Sequence, residues 1–75
     1  MNQNRRKRLK EAVAILDSAL KIVSTAKDEE QDSLDSCPEN LQDSERCVVM
    51  ENAIDALEEA MDNIEQASES INSAM

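Results

Sequence analysis

Apolar residues return at a spacing of seven in two blocks of this chain, separated by a polar stretch. In the first block Leu9, Leu16 and Val23 form one row, Ala12, Ala19 and Ala26 a second, and Val13, Leu20 and Leu34 a third. In the second block Met50, Leu57, Ile64 and Ile71 form the first row and Ala53, Ala60, Ala67 and Ala74 the second. Cys47, Ile54, Met61 and Met75 form the third, with Ser68 as its polar member. Residues that recur every two turns share one face of an α-helix, so the pattern predicts two long helices. Each carries a line of small residues flanked by larger ones. Paired antiparallel, the alanine lines set Ala12 against Ala67, Ala19 against Ala60 and Ala26 against Ala53, every pair summing to 79. The fold-back then falls at Glu39–Asn40, beside the only proline, Pro38.

The expected fold class is therefore all-α: an antiparallel two-helix hairpin with an alanine-rich heptad seam. A single domain spans residues 1–75, with helix one at about 4–34, the turn at 35–43 and helix two at about 44–73. Lys27 and Glu30 interrupt the rows, which predicts looser packing in the last third of the first helix. Pro38 disfavours helical geometry at Cys37 and ends that helix. Ser36 and Glu39 have capping-box spacing, and Asp43 or Ser44 is the alternative cap for helix two. A short turn of helix at Pro38–Gln42 and a core plug at Leu41 complete the expected turn.

One side of this hairpin is too apolar for a monomer. The Leu9/Leu16/Val23 row shares a side with Met50/Leu57/Ile64/Ile71, and that side is widened by Ile15, Ile22, Val49 and Ala56. The predicted self-association face is Leu9, Ile15, Leu16, Ile22, Val23, Val49, Met50, Leu57 and Ile64, which would make a homodimer in the form of a four-helix bundle. The alternative is that these residues line a broad hairpin face, partly exposed.

Composition narrows the class further. Gly and aromatic residues are absent and there is one Pro, which disfavours β folds. The net charge of −9 is unevenly placed. Arg5, Arg6, Lys7, Arg8 and Lys10 hold five of the eight basic residues, and from Asp28 to Glu69 the one cation is Arg46. The basic cluster is a candidate phosphate contact. A structural role at the end of helix two, with Lys10 opposite Glu69, is the simpler reading, because no aromatic side chain offers a stacking platform for bases. Glu51, Asp55, Glu58, Glu59, Asp62, Glu65 and Glu69 form a continuous acidic outer face. That face is either simply solvated or a mimic of nucleic-acid charge that draws a basic protein.

Chemistry has few candidates. With no His and no Gly, the usual nucleophile pairs, His-based metal sites and phosphate-cradling loops cannot be built. The acid run at 28–35 lacks the Gly and terminal Glu of a calcium loop. No enzymatic activity, cofactor or metal is expected. Cys37 and Cys47, roughly 15 Å apart if the intervening segment is helical, are expected to stay unpaired. Cys47, Met50 and Met61 read as core, and Cys37 as a thiol in acidic surroundings that lower its reactivity. Reduced thiols, no signal-like apolar segment and no long apolar stretch point to a cytoplasmic protein that meets no membrane.

The turn sequence Pro38-Glu39-Asn40-Leu41-Gln42, then Ser44-Glu45-Arg46, Met50-Glu51 and Ala53-Ile54, with the upstream Arg6-Lys7-Arg8-Leu9 and Asp28-Glu29-Glu30, resembles small acidic helical-hairpin proteins. These are proteins of unknown function encoded by phages and mobile elements of Firmicutes. Cys37 departs from the hydrophobic residue usual before the proline. The resemblance implies a cytosolic accessory protein acting on host machinery. The leading expectation is a non-enzymatic, homodimerising protein-interaction module with an acidic outer surface. The first alternative is an inhibitor of a host DNA-binding or defence protein, such as an anti-CRISPR, acting as a charge mimic. The second is a small regulator that contacts nucleic acid through its basic N-terminus.

Overall fold

The computed structural model describes residues 1–37 and 45–75. Helix α1 runs Gln3–Asp35 and helix α2 runs Glu45–Ala74. The two pack along their lengths into a rod of 59 × 15 × 12 Å, which holds helices this long only side by side. With nine residues between them, they run antiparallel as a hairpin. No strand occurs among the described residues.

Asn2 starts α1 as its N-cap: its Oδ1 accepts a hydrogen bond from the Arg5 backbone N–H at 2.8 Å. At the other end the Ser36 N–H donates to the Asp32 carbonyl at 3.2 Å, and the Cys37 N–H donates to the Leu34 carbonyl at 2.9 Å. These bonds close the last turn of α1, which holds no basic side chain to offset its carbonyl terminus. The short helix expected at Pro38–Gln42, the caps at Asp43 or Ser44 and the Leu41 plug lie outside the described residues.

The core is thin. Among the described residues only Cys47 (2% exposed) and Ile54 (5%) are buried, both from the third row of α2. The large rows otherwise sit half-buried: Leu9, Leu16, Val23, Val13, Leu20 and Leu34 on α1, and Met50, Leu57, Ile64, Ile71 and Met61 on α2.

The alanine seam is only partly realised. Ala12, Ala19, Ala53, Ala60 and Ala67 are half-buried, but Ala26 and Ala74 are exposed. A straight helix of 3.6 residues per turn rotates about 20° per heptad relative to a strict seven-residue row. Ala26 therefore turns outward, and Ser24, Lys27, Glu30 and Gln31 lie half-buried at that level of α1. The interface near the turn is thus mixed on the α1 side, where these polar residues stand between the half-buried Val23 and Leu34. Lys27 bridges it, with its Nζ 3.8 Å from Glu58 and 3.9 Å from Asp28.

Cys37 and Cys47 form a disulfide, with Cα atoms 6.8 Å apart. This corrects the expectation of two separated thiols. The 15 Å figure assumed helix through the segment, whereas α1 ends at Asp35 and α2 starts at Glu45, so the fold-back brings the two cysteines together. Neither is a free thiol. Joined cysteines give no reason to expect a reducing, cytoplasmic setting.

Candidate interaction surfaces

The hairpin separates its surface chemistry by side. In an antiparallel pair, positions earlier in the heptad than the contact rows fall on the same side in both helices. Ile15 and Ile22 of α1 accordingly share a side with Val49 and Ala56 of α2, and Ala26, turned out of the seam, joins Ile22 there; all five are exposed. Ile15 is 69% exposed, Ile22 71% and Val49 58%. A shallow depression on this side is lined by Lys21, Ile22, Thr25, Ala26 and Glu29. A second, nearer the turn, brings Glu30 of α1 beside Val49 and Met50 of α2, with Glu45 and Arg46 at its rim.

Of the predicted self-association face, then, Ile15, Ile22 and Val49 stand free. Leu9, Leu16, Val23, Met50, Leu57 and Ile64 are half-buried, engaged largely by the hairpin's own helix–helix contact. Val48 is also exposed, a position the heptad reading passed over because it belongs to none of the rows.

The hydroxyls beside the apolar strip are bonded within their own helix. Ser18 Oγ donates to the Ala14 carbonyl at 3.2 Å and Thr25 Oγ1 to the Lys21 carbonyl at 3.0 Å. Such back-bonded hydroxyls make little demand on water, so the strip behaves as more apolar than its composition.

A line of carboxylates occupies the other side of α2. Glu51, Asp55, Glu58, Glu59, Asp62, Glu65 and Glu69 are all exposed. Six of them, Glu59 excepted, follow one another at alternating steps of four and three residues. That spacing sets one negative charge per turn, about every 5.4 Å along the rod. Lys27 is the cation that reaches this row, through Glu58.

At the open end Arg5, Arg6, Lys7, Arg8 and Lys10 are all exposed. No ion pair joins Lys10 to Glu69 or ties the cluster to α2 among the described residues, because these side chains extend from the first turns of α1 into solvent. The structural role proposed for them from sequence is thus not realised as direct contact. Among the described residues no three His, Cys, Asp or Glu side chains converge as a metal site. No helix is long and apolar enough to cross a membrane.

The fold places the chain among all-α two-helix hairpins. Comparison with protein-family models, with characterised proteins and with solved structures finds no match to it.

Proposed function

We propose that this chain is a non-enzymatic, homodimerising protein-interaction module of a phage or mobile element, which engages a basic protein through the acidic side of α2. The observation that supports this reading is the division of α2 itself. Its large rows lie towards α1, Val49 and Ala56 lie on the Ile15/Ile22 side, and six of its eight carboxylates, Glu51, Asp55, Glu58, Asp62, Glu65 and Glu69, stand exposed in a line on the other. One side suits self-association and leaves the other free for a partner. A regular line of exposed carboxylates attracts cationic surfaces at long range, with a rate that salt suppresses.

The one-per-turn spacing also favours a narrower second reading, in which the partner is a host DNA-binding or defence protein. A row of charges about 5.4 Å apart approaches the linear charge of a nucleic-acid strand, which carries one per 3.4 Å. The test is affinity capture from the host with the wild-type chain and with a variant in which Glu51, Glu58, Glu65 and Glu69 become Gln and Asp55 and Asp62 become Asn. Basic proteins held by the wild type at low salt, and lost with the variant, are the expected result. Equal capture by both chains would remove the acidic face from the interaction.

A further inference from the structure

The exposed strip contains a seven-residue row of its own: Arg8, Ile15, Ile22 and Glu29. All four side chains are exposed. Read in reverse, the row presents acid, two isoleucines, then base. It is its own complement about a point midway between Ile15 and Ile22. The alanine register sets Ala60 of α2 close to that level.

We propose that a second copy of this chain seats antiparallel on this row, related by a two-fold axis that crosses the rod at mid-length. Helix α1 then lies against α1 of the second copy. Ile15 meets Ile22 of the second copy twice over, and Arg8 pairs with Glu29 of the second copy at both ends. This rests on the self-association reading above and adds its orientation.

Three further observations carry it. The first is charge along the rod. In the open half, residues 3–19 and 60–75, five cations balance five acids. In the turn half, residues 20–37 and 45–59, three cations face ten acids, a net of −7. Two hairpins stacked in parallel would set −7 against −7. The antiparallel arrangement sets each acidic half against a neutral half whose cations lie at the tip.

The second is surface area. The chain exposes 5663 Å². A compact chain of its 8.4 kDa exposes about 4,600 Å², an excess of roughly 1,000 Å². A standard interface covers about 800 Å² on each partner, so one two-fold contact accounts for most of the excess. The third is polar satisfaction: Ser18 and Thr25, which flank the row, already donate within α1 and can be covered without losing a hydrogen bond.

The experiment is a charge swap read by sedimentation equilibrium at low salt, with helicity checked by circular dichroism. Arg8→Glu and Glu29→Arg, both at exposed positions, are each expected to weaken the dimer about ten-fold, since symmetry creates two like-charge contacts per change. The double variant R8E/E29R should return to within about two-fold of wild type. A dimer broken by Ile15→Glu but indifferent to either single charge reversal, or not rescued by the double, overturns the orientation while leaving self-association standing. A wild-type chain that stays monomeric up to millimolar concentration overturns both.

Discussion

Ile54 and Ile22 have the same side chain and opposite circumstances. Ile54 is almost wholly buried between the helices; Ile22 stands in solvent. Truncating a buried isoleucine removes apolar contact and leaves a partial cavity, at a typical cost of 2–5 kcal/mol. In a rod two helices thick the surroundings can close in part, which puts Ile54→Ala near the lower end, at about 2 kcal/mol. Ile22→Ala should change the stability of the dilute monomer by less than about 0.5 kcal/mol. Urea unfolding at micromolar concentration checks both, and equal losses would contradict the burial pattern. The heptad rows made Ile54 legible as core, because its row returns every two turns on the contact face. They made Ile22 legible as surplus for the same reason. Lys27 was legible only as an interruption. Its bridge to Glu58 depends on the rotation that turns Ala26 out of the contact, which no local pattern states.

At the scale of elements, the hairpin is held unevenly. Towards the open end, Leu9, Leu16 and Leu20 of α1 and Leu57, Ile64 and Ile71 of α2 are large apolar residues, all half-buried. Towards the turn, α1 contributes Ser24, Lys27, Glu30 and Gln31, and its last turn lacks a cation. The Cys37–Cys47 disulfide sits at this weaker end and ties the close of α1 to the first turn of α2. Closing a loop of this length removes chain entropy from the unfolded state worth about 3 kcal/mol. Reduction by a dithiol, or Cys47→Ser, should therefore lower the unfolding free energy by about that amount. Amide exchange should rise first in residues 24–35 and 45–56 and last in 9–20 and 57–71. Two titrated thiols per chain with unchanged melting and exchange would show that packing alone holds the turn end. Sequence spacing could not reveal the pairing. Ten residues are a long helical distance but a short one around a bend, and only the path of the bend chooses between them.

For the whole molecule, a 59 Å rod with two buried residues among those described is short of core for a chain of 75 residues. Folding and self-association should then be linked. Raising the protein concentration a hundred-fold is expected to raise the melting temperature by about 5 °C, through mass action on the dimer. A melting temperature independent of concentration over that range would mark the hairpin as self-sufficient. The same rod shape lets one side serve a second copy while the acidic side of α2 stays open to a basic partner.

By itself the sequence determined that there are two long helices and which lines of residues are apolar, acidic or small. These follow from a local rule, the 3.6-residue period of the helix, applied to residues close in sequence. Only the tertiary structure decided that Cys37 and Cys47 are joined, that Ala26 and Ala74 leave the seam, and which large residues the hairpin uses and which it leaves exposed. Those outcomes depend on how each helix is rotated about its own axis and how the ends meet. Both are set by the sum of contacts between distant residues, which a periodic pattern constrains only to within part of a turn.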